Sequence, residues 1–271
     1  MERSFFVSQA GDDRYDGRTP ATPWRTLARA AERPYQPGDH LLLRAGDVWE
    51  EPLALRGRGA PGSPILLSAY GAGPRPVIRY GTGDVLSLID PSHWIVRGLE
   101  IRLTTPLPLL AEHELYAKGR GDAGEQALNR GMVLAFAAGA VYSDILIENN
   151  LVLGPGPDSF TIGIEAHAEF AAGSEDGNVR SLTFRGNTVG HVGWVGLQTR
   201  AWSAPEVEGR GLTRCLPYAQ ARFLSNVVYD IGVQGILLRN AAQSLMQWNS
   251  VRQAGMYRGT GVTWGPSGLW I

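Results

Sequence analysis

The chain has 271 residues, of which 35 are glycine and 17 are proline, while 44% are hydrophobic and 19% are charged. This composition excludes a disordered chain, which is charge-rich and apolar-poor, and a helical bundle, because each glycine inside a helix costs about 1 kcal/mol. The formal net charge of −1 provides no overall field that would attract nucleic acid or an anionic membrane, so we expect neither partner.

The N-terminal region, residues 1–39, predicts a strand, a turn and one short helix. An apolar run beginning at Phe5 favours the strand, and a stretch rich in glycine and aspartate follows it. Thr22 as N-cap and Pro23 as the first helical residue predict where the helix begins, and Pro34 predicts where it ends.

From residue 40 onward, short apolar runs alternate with Gly, Pro, Asp and Asn, which is typical of short strands joined by tight turns. We interpret residues 1–271 as one domain in which residues 40–271 form repeated coils. Two longer stretches, at about 103–130 and about 201–220, are interpreted as insertions into these coils.

Four segments share the pattern apolar-x-x-Asn-x-Val, with the asparagine at Asn150, Asn187, Asn226 and Asn249. Leu99 occupies the same place in an earlier copy. A period near 23 residues, lengthened by insertions, predicts a β-solenoid. A buried asparagine at each bend can hydrogen-bond to its own turn and to the asparagine of the next coil, so we predict an asparagine ladder.

A second repeated strand begins with glycine followed by an aliphatic residue or methionine. It starts at Gly131, Gly163, Gly196 and Gly235, with a further copy at Gly268. Alternation of side chains predicts that the residues one and three places after each glycine face the core. The residues two and four places after it are predicted to face outward.

The first hundred residues also carry a set of short motifs: Val7-Ser8, Gly11-Asp12-Asp13, Asp16-Gly17, Thr22 to Leu27, Pro37-Gly38-Asp39, Leu43 to Asp47, Gly62 to Ile65 and Ala69-Tyr70-Gly71. With these motifs, residues 6–101 resemble the N-terminal region of right-handed parallel β-helix proteins of the pectin-lyase-like superfamily. The Asn-x-Val coils extend the resemblance to nearly the whole chain.

The resemblance implies an all-β, right-handed parallel β-helix (a solenoid) whose N-terminal helix caps the open first coil. It implies a carbohydrate-active protein, with an acidic polysaccharide as partner and an extracellular or periplasmic location. It does not choose among lyases, hydrolases, epimerases and binding proteins, because all of these share the fold.

The two ends of the chain give further expectations. The start shows no signal peptide, and the most apolar stretch, residues 131–142, is too short to span a bilayer. The end reads as the middle of a strand, whereas a solenoid normally finishes with a capping element. We therefore expect a fragment, with further C-terminal coils in the complete protein.

A polar stripe is predicted on the outer face of the glycine strands. His167, Arg200 and Arg239 each lie four places after a glycine, and Glu165 and Gln198 lie two places after one. Neighbouring strands about 4.8 Å apart would form a stripe long enough for several sugar units. Two interpretations remain open: a groove for an anionic glycan, or an ordinary solvated face.

For β-elimination of a uronic acid polymer, the stripe supplies candidates for three roles. Arg200 and Arg239 would neutralise the sugar carboxylate, because the planar guanidinium pairs with it in bidentate fashion. His167 would be the base, and Tyr257 or Tyr218 would be the acid. The predicted substrate-binding residues are Gln198, Trp202, Tyr218 and Tyr257.

Two other functions remain open. A glycoside hydrolase needs paired carboxylates, for which Glu165 and Asp230 are the candidates. Asp230 aligns with His191 and Gln253 at the same bend of successive coils, where it is also interpretable as a turn residue. The third function is a non-catalytic glycan-binding or structural solenoid.

Asp12, Asp13 and Asp16 are the candidates for a calcium site, because carboxylate oxygens are the ligands that this ion takes. The alternative is a turn rich in carboxylates. The sequence shows no nucleotide-binding glycine motif, zinc pattern or Ser-His-Asp signature, so no other cofactor is predicted.

Overall fold

The computed structural model describes residues 2–106, 129–170, 178–203, 217–256 and 267–270. These residues contain 25 β-strands and one short helix, so the prediction of an almost purely β chain is confirmed. The strands, numbered in chain order, form three sheets, which we call sheets A, B and C.

Sheet A contains, in spatial order, β1 (Arg3–Val7), β3 (Asp39–Arg44), β6 (Ile65–Tyr70), β9 (Trp94–Arg97), β12 (Tyr142–Glu148), β15 (Val179–Arg185), β18 (Tyr218–Ala219) and β22 (Ala241–Ala242), with β19 (Arg222–Leu224) beside β15 and β23 (Leu245–Gln247) beside β19. Sheet B contains β2 (Pro34–Tyr35), β5 (Leu53–Arg58), β8 (Asp84–Ser92), β11 (Asn129–Phe136), β14 (Thr161–Phe170), β17 (Val195–Ser203), β21 (Gln234–Leu238) and β25 (Ser267–Trp270). Sheet C contains β4 (Val48–Trp49), β7 (Val77–Tyr80), β10 (Glu100–Leu103), β13 (Leu151–Leu153), β16 (Thr188–Val192), β20 (Val227–Ile231) and β24 (Ser250–Ala254).

The chain visits the three sheets in a fixed order. Strands β12, β13 and β14 lie in sheets A, C and B, and β15, β16 and β17 repeat this path one coil later. Each strand pairs in parallel with the equivalent strand of the next coil. The fold is therefore a parallel β-helix, as the repeats predicted. No helix among the described residues is long and apolar enough to cross a membrane.

The core confirms the alternation predicted for the glycine strands. The first residues after the glycines, Met132, Ile164, Leu197 and Ile236, are all fully buried inside the coil. They stack in register from β11 through β14 and β17 to β21. The same inward column continues in the residues three places after the glycines.

The asparagine ladder is confirmed along the bend between sheets A and C. Asn150 Nδ2 donates to Asn187 Oδ1 at 3.1 Å, and Asn187 Nδ2 donates to Asn226 Oδ1 at 3.1 Å. Asn226 Nδ2 continues the ladder to Asn249 Oδ1 at 2.9 Å. In the earlier coil the main-chain N–H of Leu99 donates to Asn150 Oδ1, so the leucine does occupy the asparagine place. The ladder satisfies main-chain groups that the bend would otherwise leave unpaired.

The recurring glycines are required sterically. A Cβ atom at Gly131 would lie 2.7 Å from the carbonyl oxygen of Gly163, and one at Gly235 would lie 2.5 Å from that of Gly268. Each of these positions also faces a valine methyl group of sheet C, such as Val152 beside Gly131. Glycine at these positions therefore leaves room for the main chain of the next coil and for the valine of sheet C.

The helix is shorter than predicted and begins later. Helix α1 spans Leu27–Ala31, and its N-cap is Thr26, whose side chain accepts a hydrogen bond from the main-chain N–H of Arg29 at 3.1 Å. The prediction of Thr22 as N-cap and Pro23 as first helical residue is wrong, because Trp24 is extended and exchanges main-chain hydrogen bonds with β1. That α1 caps the first coil stays a prediction.

Candidate functional site

The parallel register of sheet B brings the predicted polar stripe together. Glu165 of β14 lies beside Gln198 of β17, and His167 lies beside Arg200 one row further along the same strands. Leu237 of β21 completes the row of Gln198, and Arg239 follows directly after the end of β21. We refer to Glu165, His167, Gln198 and Arg200 as the outer stripe.

The outer stripe is largely buried, although it lies on the outer face of the sheet. Glu165 is 0% exposed, Gln198 3% and His167 7%, whereas Arg200 is half-buried. Glu169, the next outward residue of β14, is exposed. Among the outward residues of β14, burial therefore ends between His167 and Glu169. These values do not fit the alternative of an ordinary solvated face.

Glu165 is the centre of the charge network. Its Oε1 lies 3.3 Å from Arg130 Nη1 and 3.3 Å from His167 Nδ1, and its Oε2 accepts a hydrogen bond from Gln198 Nε2. Burial by itself raises the pKa of this carboxyl, but the hydrogen bond with His167 and the charges of Arg200 and Arg130 outweigh it and lower the pKa to about 2. Glu165 is therefore an ionised carboxylate at neutral pH.

Arg130 and Asp84 belong to the same network, and the sequence analysis missed both. Arg130 Nε lies 2.6 Å from Asp84 Oδ1, and its Nη2 lies 2.9 Å from Asp84 Oδ2, which is bidentate geometry. Burial by itself lowers the pKa of Arg130. The hydrogen bond and charge of Asp84, with the charge of Glu165, outweigh burial, so the pKa of Arg130 is raised above its ordinary value. Arg130 thus links a carboxylate of the preceding coil, Asp84, with one of the following coil, Glu165. The one feature of the sequence that marks Arg130 is its place directly before Gly131.

His167 is oriented by Glu165. Its Nδ1 lies 3.3 Å from Glu165 Oε1, and an ionised carboxylate at this distance accepts a hydrogen bond from a protonated Nδ1. The same device orients imidazole groups that act as general bases.

The two predicted arginines have different settings. Arg200 lies within β17 beside His167, and its charge acts on Glu165. The main chain of Arg239 is fixed to Thr199, whose hydroxyl accepts from the Arg239 N–H at 2.9 Å and donates to its carbonyl at 2.8 Å. Arg239 Nη2 lies 3.5 Å from Gln234 Oε1.

Tyr218 does not lie on the outer stripe. It is fully buried in sheet A, and its hydroxyl lies 2.7 Å from the carbonyl oxygen of Ala166 and 2.8 Å from that of Arg200, inside the coil. Burial, followed by the charge of Glu165, raises the pKa of Tyr218 well above its usual range. This position argues against the predicted roles of Tyr218 as acid and as substrate contact.

The structure does not describe the side chains of two other predicted substrate contacts, Tyr257 and Trp202. Tyr257 lies outside the described residues. Trp202 belongs to β17, where its main chain pairs with Glu169 of β14, but its side chain is not among those described.

An apolar cluster adjoins the outer stripe on the same face of sheet B. Ile162, Val195 and Leu237 are buried together outside the main core, and Phe160 and Trp194 pack against them. The rings of Phe160 and Trp194 are 5.2 Å apart in an edge-to-face arrangement. Half-buried aromatic rings beside polar groups are suited to packing against a sugar ring.

Asp230 lies at a different place from Glu165. It occupies β20 of sheet C with a φ of 53°, and His191 in the preceding coil has a φ of 56°. Gln253 has a φ of 52° in the following coil, so the predicted alignment of the three residues at one bend is confirmed. His191 Nδ1 is hydrogen-bonded to Asp230 Oδ2. Glu165 and Asp230 thus belong to different sheets.

The aspartates proposed for calcium have protein partners. Asp12 pairs with Arg14, and Asp16 accepts from the Arg18 N–H and the Thr22 hydroxyl at 3.0 Å each. Asp13 accepts from two main-chain N–H groups and a hydroxyl just before α1. No cluster of three metal-ligating residues occurs in the described part of the chain. These contacts fit the alternative of a hydrogen-bonded turn, and the calcium site stays a prediction.

Comparison with known proteins gives structural matches alone. No protein-family profile and no curated protein sequence matches the chain. The chain is similar to a GH136 lacto-N-biosidase from Eubacterium ramulus, with a TM-score of 0.74 and 20% identity over 99% of this chain and 49% of that enzyme in its selenomethionine form. The native form gives a TM-score of 0.67 and 21% identity over 92% of this chain and 45% of that enzyme.

A pectate lyase is matched with a TM-score of 0.45 and 13% identity over 91% of this chain and 68% of that one. The chain spans about half the length of the lacto-N-biosidase. At these identities the likeness to the lacto-N-biosidase establishes the fold alone, and the predicted parallel β-helix is confirmed.

Proposed function

We propose that the chain is part of a carbohydrate-active enzyme that binds a polymeric glycan along the outer stripe of sheet B. The observation that carries the proposal is the contact between the ionised Glu165 and Nδ1 of His167, which orients the imidazole ring and so supports a role for it as a base. An extracellular or periplasmic location is part of the proposal, because polymeric glycans are found there.

The reaction that we propose is proton abstraction next to the carboxylate of a uronic acid residue, as in a lyase or an epimerase. His167 takes the proton at Nε2, while Arg200 and Arg239 stabilise the negative charge that develops on the sugar carboxylate. In a lyase the electron pair then forms a carbon–carbon double bond, and the bond to the leaving glycan oxygen breaks. In an epimerase a proton returns to the opposite face of the same carbon.

The proton donor is the least supported part of this mechanism. Tyr257 remains the predicted acid, since the interior position of Tyr218 leaves it unsuited to that role. A lyase can also complete the reaction with a proton from water on the leaving oxygen. The proposal therefore depends on His167 and the arginines, and not on a particular acid.

The experiment uses the step that a lyase and an epimerase share. Wild-type protein and His167→Ala are incubated in D2O with a panel of uronate polymers, and deuterium incorporation and unsaturated products are measured. Removing a general base lowers the rate by about 100-fold or more, so we expect that loss for His167→Ala. The control Arg252→Gln, on the exposed surface of sheet C, should retain the wild-type rate. Equal rates for wild type and His167→Ala would contradict the proposal.

A glycoside hydrolase is the second candidate, and the likeness to the lacto-N-biosidase favours it. An ionised Glu165 would then serve as nucleophile or base, and another group would supply the proton. Asp230 was predicted as the second carboxylate, but it belongs to sheet C and is hydrogen-bonded to His191. Release of reducing sugar without unsaturated product or deuterium incorporation, lost in Glu165→Gln, would support the hydrolase over the lyase.

The third function is a non-catalytic glycan-binding or structural solenoid. Product formation in the same assays, together with a measurement of glycan binding, distinguishes it from the two enzymes. A binding protein would retain glycan without any product, and its affinity would fall in Arg200→Ala. A structural solenoid would show neither product nor glycan binding.

A further inference from the structure

A second groove lies on the outer face of sheet A, away from the outer stripe. It has a volume of about 560 Å³. Its floor is one row of outward residues from four neighbouring strands: Ile95 of β9, Leu146 of β12, Thr183 of β15 and Arg222 of β19. With strands about 4.8 Å apart, this row is roughly 14 Å long, which suits an oligosaccharide. We call it the sheet-A groove.

One wall of the sheet-A groove is a rigid turn. Ala60 and Ser63 exchange two main-chain hydrogen bonds, of 3.2 and 2.9 Å, and between them Gly62 has a φ of 75°. Pro61 lies inside the turn and Pro64 follows it, and proline fixes φ close to −65°. The wall is therefore formed before any ligand arrives.

The edge of the groove carries hydrogen-bonding groups. His93, directly before β9, has its Nδ1 3.1 Å from Oδ2 of Asp144, which lies within β12 with a φ of 53°. The side chain of Asp144 is 60% exposed, so its carboxylate can accept hydrogen bonds from hydroxyl groups in the groove. Between this edge and the arginine end, Ile95 and Leu146 present half-buried apolar surface.

The positive charges at the other end differ in their pairing. Arg185 is paired with the buried carboxylate of Glu148, with Nε 3.1 Å from Oε2, and Arg97 lies 3.8 Å from the same residue. Arg222 is exposed and makes no ion pair with any residue in the described part of the chain. It is thus a cation at the end of a preformed groove, with its charge available to a ligand.

We propose that the sheet-A groove is a second glycan-binding site, which takes an anionic oligosaccharide. Arg222 would pair with a sugar carboxylate or sulfate, because the guanidinium matches both anions in bidentate geometry. Asp144 would accept from sugar hydroxyls, and the apolar face of a ring would pack on Ile95 and Leu146, since small-molecule sites combine apolar surface with a few polar groups. The site goes beyond the proposed function, because it requires no reaction.

The test measures binding in a His167→Ala/Arg200→Ala background, which weakens the outer stripe and leaves sheet A unchanged. Uronate, sulfated neutral-sugar and unmodified neutral oligosaccharides of equal length are titrated by calorimetry. The methyl resonances of isoleucine, leucine and threonine report where the ligand lies. Arg222→Gln is compared with Arg252→Gln, an exposed arginine on sheet C.

We expect at least one anionic oligosaccharide to shift the Ile95 and Leu146 methyl signals, and the neutral one to leave them unchanged. Arg222→Gln should raise Kd about tenfold, as expected for loss of a charged hydrogen bond, and Arg252→Gln should leave it unchanged. The better of the two anionic ligands identifies whether carboxylate or sulfate is preferred. Equal binding of the neutral chain, unchanged methyl signals, or equal effects of the two arginine variants would overturn the proposal. None of these results bears on the His167 reaction, which is measured separately.

Discussion

The outer stripe of sheet B and the sheet-A groove place charged side chains on the same scaffold in opposite ways. In the stripe, Glu165 is fully buried and is compensated by Arg130, which also pairs with Asp84. In the groove, Arg222 is exposed and has no ion-pair partner among the described residues. The difference is one of coupling: a change in the stripe disturbs several buried groups, whereas a change in the groove removes one solvated charge.

The same contrast separates chemistry from binding. A buried carboxylate against an imidazole fixes a proton and a ring orientation, which a reaction needs. An exposed guanidinium at the end of a preformed groove provides charge and little more, which is sufficient for affinity. Each prediction below tests whether the two regions differ in this way.

The largest effect is expected from removing the central carboxylate. Glu165→Leu removes the buried carboxylate that Arg130 and His167 both contact, and removal of one member of a buried ion pair typically costs about 3–5 kcal/mol. Glu169→Leu, on the same strand but exposed, should change the free energy of unfolding by less than about 0.5 kcal/mol. Chemical denaturation measures both, and equal losses would remove the distinction between buried and solvated charge.

The next effect is steric and also acts on the strand that carries the stripe. Gly163→Ala places a Cβ against the Gly196 carbonyl and a methyl of Val189, so we expect a loss of about 1–3 kcal/mol. A Cβ at Gly268 meets nothing closer than 3.8 Å, which makes Gly268→Ala the matched control. Thermal unfolding compares the two variants. A control that loses as much stability as Gly163→Ala would show that the glycine column is not sterically required.

Stability should depend on acid pH through Glu165. Its pKa in the folded protein is about 2, below its ordinary value of 4.5, so the ionised form stabilises the fold above that ordinary value. This contribution is lost as the pH falls from about 5 to about 2. The difference in unfolding free energy between wild type and Glu165→Gln should therefore shrink over that interval. A difference that stays constant with pH would contradict the assignment of an ionised buried carboxylate.

The smallest effect on stability is expected in the sheet-A groove. Arg222→Gln removes a solvated charge with no ion pair in the described chain, so unfolding free energy should change by less than about 0.5 kcal/mol. Thermal unfolding beside Arg252→Gln checks this. A loss of several kcal/mol would mean that Arg222 is part of the fold rather than a surface cation.

The repeats made much of the fold predictable from the sequence. The asparagine ladder and the glycine column each reappear once per coil, so one physical argument applied to every copy. The row of Glu165 and Gln198 followed from the same alignment. The start of α1 could not be predicted in this way. It depends on a main-chain hydrogen bond between Trp24 and Phe6, which are far apart in sequence and belong to no repeat.

The network around Glu165 could not be predicted in the same way. Asp84 lies 46 residues before Arg130, across a predicted insertion, and no repeated motif marks either residue. Tyr218 was predicted from its residue type as a candidate acid and substrate contact, but its hydroxyl is inside the coil because it belongs to sheet A and packs inward. The exposure of Arg222 depends on which neighbours reach it, and that information is not contained in a local pattern.

The most direct test of the central claim measures deuterium incorporation next to the carboxylate, together with unsaturated product, when wild type, His167→Ala and Arg222→Gln act on a uronate polymer in D2O. The claim is that the outer stripe of sheet B reacts and the sheet-A groove only binds. It predicts a loss of about 100-fold or more in His167→Ala at saturating polymer, and the wild-type rate in Arg222→Gln. A reaction that survives in His167→Ala, or is lost equally in Arg222→Gln, would contradict it, as would a wild-type protein that gives neither deuterium incorporation nor unsaturated product with any polymer.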